Sequence, residues 1–290
     1  MTALGHRLAL ATAGATLLLI LFGGLVTNTG SALAVPDWPT TFGYTIFTYP
    51  WSGMVGGVFY EHSHRLLGSL VGLLTVALAA ALWRAGGRLR VLGLVAVAGV
   101  VAQGVIGGLR VVFRQDTLAI VHGCVAPAFF ALIVAIVLLT SARARFSPGQ
   151  VDGGARSLAL LAVGLVYIQI VLGALVTHAG FLQVHLVGAL AVFAFVPLVT
   201  ARMRRSGDAV AAPVARAVLV LLGFQLLLGI GAWVASTNAA MLVPAVRLAL
   251  PVAHRLTGSL ILAGMVILAL RTLGISTRQA GLADAIEQLA

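Results

Sequence analysis

The chain has 290 residues, of which 61% are hydrophobic and 9% are charged, and its mean hydropathy is +1.10. This composition excludes an ordinary soluble globular protein and indicates a membrane protein with several spanning helices. The basic residues behind the net charge of +11 are all arginine, and most lie between apolar runs. We interpret this charge as a topology signal and predict no nucleic-acid partner. The single cysteine, Cys124, lies inside an apolar run and can form no intramolecular disulfide.

Eight apolar runs are long enough to cross the hydrocarbon core of a bilayer, which takes about 20 helical residues. They lie at about 8–27, 62–83, 91–110, 118–140, 157–177, 184–201, 215–235 and 249–270. We therefore predict an all-α polytopic protein with eight transmembrane helices in the lipid bilayer. The first run resembles a secretory signal followed by Ala32-Leu33-Ala34. Because it is longer than a signal core, we expect it to remain as an uncleaved anchor.

The arginines predict the orientation of the chain. One side of the predicted helices carries Arg7, Arg84, Arg88, Arg90, Arg143, Arg145, Arg156, Arg202, Arg204, Arg205, Arg216, Arg271 and Arg278. Since the arginine-rich side faces the cytoplasm, we predict a multi-pass protein of the cell membrane with both termini cytoplasmic. The remaining arginines lie toward the outer side, where a specific role is expected for them: Arg65, Arg110, Arg114, Arg247 and Arg255.

An internal repeat divides the chain into two four-helix halves. The segment Phe22–Gly30 aligns with Leu172–Gly180, at the ends of the first and fifth predicted helices. A Gln-x-x-x-Gly pattern recurs as Gln103/Gly107, Gln169/Gly173 and Gln225/Gly229. Since four helices separate equivalent positions, the halves share one orientation, and a pseudo-twofold axis along the membrane normal is predicted. We place the halves at residues 1–145 and 146–290.

Four histidines lie near the outer ends of the second, fourth, sixth and eighth predicted helices, at a common depth: His64, His122, His185 and His254. Ionisable side chains at membrane depth are rare and mark functional sites. In the repeat, His64 corresponds to His185 and His122 to His254, so each half supplies one imidazole pair. We predict that the four side chains are metal ligands, whereas His6, His62 and His178 are predicted not to be.

Two facing imidazoles in an apolar bundle suit the iron of a flat macrocycle better than zinc, which would need further ligands. We therefore predict two heme sites toward the outer face. Arg65 and Arg255 each follow a ligand histidine and are predicted to bind heme propionates.

The two predicted sites differ in one acidic side chain. Glu61 lies three residues before His64, on the same helix face, and its counterpart in the repeat is Leu182. A carboxyl group can exchange protons and leucine cannot, so Glu61 is the candidate catalytic residue. The alternative is an interfacial glutamate that only pairs with Arg65. The long outer loop at 28–60 precedes this site and is rich in aromatic residues, which is compatible with an interfacial aromatic belt or with a lid.

Taken together, the motifs resemble the heme A synthase family over nearly all eight helices. They are the Glu61-x-x-His64-Arg65 segment, Pro36-Asp37-Trp38-Pro39, Gln103-x-x-x-Gly107-Gly108, His122, and His254-Arg255. The resemblance implies oxygen-dependent oxidation of the C8 methyl of heme O to the formyl of heme A, for a terminal oxidase. It also implies a resident heme B and one site for substrate heme O, with a heme O synthase and oxidase assembly factors as expected partners.

We expect His64 and His122 to bind the substrate heme, and His185 and His254 to hold heme B, because the second half lacks an obvious reactive group. One departure from the family is that many members carry two cysteines around Pro-Asp-Trp-Pro, where this chain has Val35 and Thr41. The resemblance therefore leaves the route of electron input and the electron donor unassigned. The alternative function is a bis-histidine diheme b-type cytochrome that carries electrons through two permanent hemes.

Overall fold

The computed structural model describes residues 3–142, 153–238, 240 and 242–274. This part of the chain contains eight long α-helices: α1 Ala3–Asn28, α2 Gly56–Trp83, α3 Gly87–Phe113, α4 Asp116–Thr140, α5 Gly153–Ala179, α6 Leu182–Arg205, α7 Ala211–Thr237 and α8 Pro244–Thr272. Each helix is long and apolar enough to cross a membrane. The predicted all-α fold with eight spanning helices is confirmed.

Every helix extends beyond its predicted apolar run, by up to six residues at one end. The helices have 24 to 29 residues, which at about 1.5 Å per residue corresponds to roughly 36–44 Å. This is the thickness of a bilayer including its headgroup regions. The extra turns therefore lie at the level of the headgroups, where polar residues are tolerated and hydropathy does not mark the helix ends. One consequence is that Arg247, which lies outside the predicted run 249–270, belongs to the first turn of α8.

Helices α4 and α8 form the centre of the bundle. Helix α4 packs against α1, α3, α5 and α8, whereas α8 packs against α1, α4, α5 and α7. In the most apolar window of each helix, 61% of the α4 residues and 56% of the α8 residues are buried, against 28% or less in the other six. One histidine of each predicted pair, His122 on α4 and His254 on α8, therefore lies on a central helix.

The helix contacts recur in the two halves of the chain. The contacts α1–α2, α2–α3, α3–α4 and α1–α4 have the counterparts α5–α6, α6–α7, α7–α8 and α5–α8. Two repeated four-helix halves would give this pattern. The pseudo-twofold axis itself stays a prediction, and the predicted boundary at 145/146 lies outside the described residues.

At the end of the bundle away from the histidines, a buried ion pair fixes the turn between α6 and α7. The Nε atom of Arg271 donates to Oδ2 of Asp208 at 2.8 Å, and both side chains are 1% exposed. The Oδ1 atom of Asp208 accepts the backbone N–H groups of Val210 and Ala211, each at 2.8 Å. The carboxylate thus ties the start of α7 to the end of α8.

Candidate functional site

The four predicted ligand histidines form two pairs, each within one half of the chain. The ring centres of His64 and His122 are 6.3 Å apart, with an angle of 76° between the ring planes. The ring centres of His185 and His254 are also 6.3 Å apart, at 70°. The structure therefore brings together the same pairs that the repeat predicts.

The spacing of each pair matches two imidazoles on opposite sides of one metal ion. Metal–nitrogen bonds to histidine are about 2 Å long, and a ring nitrogen lies roughly 1 Å from the ring centre, which places the two ring centres about 6 Å apart. Each pair provides two nitrogen ligands, the number that a heme iron takes in addition to its four ring nitrogens. The residues present thus fit heme at both sites.

A glycine on the preceding helix faces each of the four imidazole rings. A Cβ atom added at Gly23 or Gly173 would lie 3.2 Å from Cε1 of His64 or His185, respectively. At Gly107 and Gly229 the corresponding distances to Cε1 of His122 and His254 are 3.0 and 2.9 Å. These contacts are closer than side chains tolerate without a shift, so the glycines let each ring lie against the neighbouring helix. The glycines near the ends of α1, α3, α5 and α7 also place all four histidines at one end of the bundle.

Glutamines on three of these helices orient the histidines. Nε2 of Gln103 donates to the backbone carbonyl of His122 at 3.1 Å, and Nε2 of Gln169 donates to that of His185 at 2.9 Å. The backbone carbonyl of Gln225 accepts from Nδ1 of His254 at 3.1 Å. A proton on Nδ1 leaves the lone pair on Nε2, the form of histidine that ligates metals. The Gln225 amide, 3.2 Å from this Nε2, can donate to it.

Several buried polar atoms at these sites have no hydrogen-bond partner within the described part of the chain. They are Nδ1 of His64, Nδ1 of His122, and Oε1 of Gln103, Gln169 and Gln225. Buried polar atoms in native proteins are usually satisfied. His64 and His122 each lie near a backbone carbonyl, that of Leu19 and that of Gln103 respectively, so an iron bound at Nε2 would not compete with that contact.

The mouth of the His64/His122 site is closed by the outer loop. Arg65 donates from Nη1 to the carbonyl oxygens of Asp37 and Thr40, at 2.7 and 2.8 Å, and from Nη2 to that of Val35 at 3.0 Å. Nη2 also donates to Oε1 of Glu61 at 2.8 Å, and Oε2 of Glu61 accepts the backbone N–H of Val35 at 2.9 Å. The predicted catalytic carboxylate is thus 4% exposed and is part of the clamp that holds the loop.

Two positions of this loop that flank the Pro36–Pro39 segment are fully buried. Val35 and Thr41 are each 0% exposed. Thr41 Oγ1 lies 3.1 Å from Nδ1 of His62, which also packs against the Tyr49 ring at 5.0 Å. This part of the loop is therefore held by a polar network, and His62 belongs to that network, away from the ligand pairs.

Asp37 shapes the tip of the loop. Its carboxylate accepts the backbone N–H groups of Phe42 and Gly43, at 2.8 and 2.9 Å, and the Thr40 hydroxyl. Burial alone would raise the pKa of Asp37, but the hydrogen bonds from Gly43, Thr40 and Phe42 outweigh it and lower the pKa to about 2. The neighbouring Trp38 ring packs directly on Gly108 of α3, so the loop spans from α2 to α3 across the site.

Arg110 is a residue of this mouth that the sequence reasoning did not assign to the site. It lies in the last turn of α3 and is half-buried. Its charge acts on both His64 and His122, and it lies within electrostatic reach of Glu61. Within the described residues its side chain has no hydrogen bond or ion pair. The available sequence signal was its outer position, three residues after Gly107.

The mouth of the His185/His254 site is simpler. Arg255 donates from Nη2 to Oγ1 of Thr177 at 2.8 Å, so the predicted propionate partner lies at this mouth. Leu182, the counterpart of Glu61, is the first residue of α6. Of the other predicted non-ligands, His6 is 3.2 Å from Thr140 Oγ1, whereas His178 is in the last turn of α5, next to Thr177 and within electrostatic reach of Arg255.

Comparison with known proteins identifies the family. The model of the family described as cytochrome oxidase assembly protein matches residues 6–182, more than half of the chain. The chain belongs to this family. The match includes His64 and His122 and ends just before His185. The second histidine pair is therefore supported by its geometry in this structure and not by the family match.

Several curated relatives are named heme A synthase. One from Shouchella clausii is 34% identical over 138 residues, which are 46% of this chain and 44% of the relative. Another, from Alkalihalophilus pseudofirmus, is 31% identical over 170 residues, or 56% of each chain. A third, from Beijerinckia indica, is 38% identical over 132 residues, or 41% of this chain and 36% of the relative. The chain spans about half the length of the curated relatives it matches, or less.

Proposed function

We propose that the protein is a heme A synthase, an oxidoreductase that converts the C8 methyl of heme O into the formyl of heme A for terminal oxidase biogenesis. The observation that carries the proposal is the pair of histidine sites, each with ring centres 6.3 Å apart. Family membership and the relatives named heme A synthase support it. Heme O is the proposed substrate, and heme O synthase and oxidase assembly factors are the proposed partners.

The two sites are proposed to divide the work. His185 and His254 would hold resident heme B, with Arg255 as a propionate partner. This half has Leu182 at the position of Glu61 and therefore lacks a carboxyl group that could take part in the reaction. His64 and His122 would hold the substrate, beside Glu61 and under the loop. Heme B, when bound, would supply a redox-active iron that accepts and passes single electrons. We propose further that the protein lies in the cell membrane with both termini cytoplasmic and both sites toward the outer face.

The side chains around the substrate site have distinct proposed tasks. Arg65 holds the loop over the site through its hydrogen bonds to three carbonyl groups, and this cover excludes water from the reacting methyl group. Arg65 and Arg110 provide cations for the substrate propionates, and Arg110 is the one without another partner among the described residues. Glu61 provides negative charge that stabilises positive charge developing at the oxidised carbon, or receives a proton released there.

The position of Glu61 calls for a test that separates chemistry from loop closure. Glu61→Gln removes the charge but keeps the size of the side chain, and we expect heme A formation to fall by more than about a hundredfold. The measurement is heme extraction from membranes that contain the variant and supplied heme O. Hydrogen exchange of residues 35–44 is measured on the same sample, with Arg65→Gln as the matched loop-opening variant.

The comparison of the two variants decides the role of Glu61. If Glu61→Gln abolishes heme A formation while loop exchange stays near the wild-type rate, Glu61 takes part in the chemistry. If both variants lose activity in proportion to faster loop exchange, Glu61 acts by holding the loop. Undiminished heme A in Glu61→Gln would contradict both roles.

The equal spacing of the two histidine pairs also favours a second candidate, the diheme electron carrier. A carrier would keep two hemes of one type and leave added heme O unchanged, whereas the synthase keeps heme B and releases heme A. Chromatography of hemes extracted before and after incubation with heme O, oxygen and a reductant distinguishes the two. Two equivalents of heme B with no conversion would overturn the synthase proposal.

A further inference from the structure

A cavity lined by arginine lies at the end of the bundle opposite the histidines. It has a volume of about 200 Å³ and lies between the end of α6 and the start of α7. Its lining residues are Ala201, Arg204, Arg205, Ala212 and Arg216. Since one water molecule takes up roughly 30 Å³ in the liquid, the cavity has room for a group of several heavy atoms.

The cavity lies at the depth of a membrane–water interface. Arg204 follows His185 by 19 residues along α6, which corresponds to about 28 Å at 1.5 Å per residue. The hydrocarbon core of a bilayer is about 30 Å thick. With the histidines near one membrane surface, Arg204, Arg205 and Arg216 therefore lie near the headgroups of the opposite leaflet.

The three guanidinium groups lack a counter-charge within the described residues. The three side chains are exposed, and none has a hydrogen bond or ion pair there. The nearest acidic residue in sequence is Asp208, between α6 and α7, but its carboxylate is buried against Arg271 and the backbone at the start of α7. Three arginines thus line one cavity, and the neighbouring carboxylate is already engaged by Arg271 and the start of α7.

The geometry points to a binding site for the phosphodiester headgroup of an anionic phospholipid. Arginine is suited to phosphate because its planar fork can donate two parallel hydrogen bonds. Basic pockets between membrane helices are recognised sites for anionic headgroups. The small side chains of Ala201 and Ala212 leave space for the phosphate between the arginines, and the adjacent apolar faces of α6 and α7 can contact the acyl chains. This site is independent of the heme chemistry at the other end of the bundle.

The test uses the full-length protein and phosphatidylglycerol as the probe. Native mass spectrometry of the detergent-purified protein should detect a retained phosphatidylglycerol. The double variant Arg204→Gln/Arg216→Gln should weaken binding roughly tenfold, because each arginine near a lipid phosphate contributes substantially to the attraction. The matched control is Arg88→Gln/Arg202→Gln, which removes the same charge from the same end of the bundle but leaves the cavity lining unchanged. The control should bind phosphatidylglycerol like the wild type.

Competition experiments distinguish a lipid headgroup from other occupants of the cavity. Phosphatidylcholine, which is zwitterionic, and inorganic phosphate at equal concentration should not compete with phosphatidylglycerol. Equal losses in the two double variants would overturn the proposal, since they would show a general charge effect. Effective competition by inorganic phosphate would identify a free-anion site instead. Residues 284 and 287 are acidic and lie outside the described residues; if Asp284→Asn/Glu287→Gln increased lipid binding, the chain's own C-terminal segment would be the competing occupant.

Discussion

The two histidine sites share their scaffold and differ in what lies above them. Both have ring centres 6.3 Å apart and a glycine against each ring. In the second half both α5 and α7 carry glutamine, at 169 and 225, whereas in the first half α3 carries Gln103, the counterpart of Gln225, and α1 has Leu19 at the position of Gln169. The first site is covered by the clamped outer loop with Glu61 and Arg65, whereas the second has Arg255 and short connections.

Under the proposed function, this difference separates binding a heme from reacting with it. Ligation needs two imidazoles and space for the rings, and both halves provide these elements. Chemistry on a bound substrate also needs a covered mouth and a group that can carry charge, and these are found in the half that contains Glu61. A duplicated heme-binding scaffold would thus become a cofactor site and a substrate site through changes near the surface rather than in the core.

The largest effect should come from removing axial ligands in one half at a time. We expect His254→Ala or His185→Ala to abolish binding of resident heme B, since one imidazole cannot complete a bis-histidine site. His64→Ala or His122→Ala should retain heme B but stop heme A formation. Optical spectra and extracted heme content of the purified variants measure this. Retention of a full bis-histidine heme B spectrum in His254→Ala would reverse the assignment of the halves.

Glycine substitutions test whether the ring contacts matter in both sites. In α7, Gly229→Ala would place a Cβ 2.9 Å from the His254 ring, whereas a Cβ at Gly223 meets nothing within 4 Å. We expect Gly229→Ala to lower heme B affinity roughly tenfold and Gly223→Ala to leave it unchanged. In α3, Gly107→Ala and Gly104→Ala form the equivalent pair for heme A formation. Heme titration measures the first pair and an activity assay the second. Equal effects of the two substitutions within a pair would show that the contact between glycine and ring does not matter.

A smaller effect is expected at Arg255, the proposed propionate partner of the second site. Arg255→Leu should speed heme B loss several-fold, because a charged hydrogen-bond donor is removed from the mouth. Arg247→Leu is the control on the same helix, exposed in the first turn of α8. The transfer of heme B to apomyoglobin measures the loss rate. Equal rates in the two variants would exclude Arg255 from heme retention.

The smallest expected effect is a loss of loop stability at low pH. It should be confined to the His64/His122 site, which the loop covers. Because the Asp37 pKa is lowered from 3.8 to about 2, its contribution to loop stability is present above pH 3.8 and is lost as the pH falls toward 2. Exchange protection of residues 35–44 should therefore change little between pH 8 and about 4 and decrease below that. Asp37→Asn should show weaker protection throughout and no such acid transition. An unchanged acid transition in this variant would assign it to another group.

Much of the molecule could be predicted from sequence because hydropathy and repetition report on it directly. The eight helices follow from apolar length, and the pairing of His64 with His122 follows from the repeat. The loop contacts could not be predicted in this way, since they join Arg65 to carbonyl groups that any residue could provide. Arg110 was missed for a related reason: its proximity to the histidines depends on how α3 packs against α2 and α4, which no local pattern encodes.

The central position of α8 bears on how the protein is assembled. Helices enter the membrane in chain order, so α1 to α4 can gather before α8 is made, and α4 remains partly without its neighbours until then. Helix α8 then contributes contacts to α1, α4, α5 and α7 together with the ligand His254. We therefore expect maturation to be completed late, with the second heme pocket and the seam between the halves forming in one step after synthesis of the last helix.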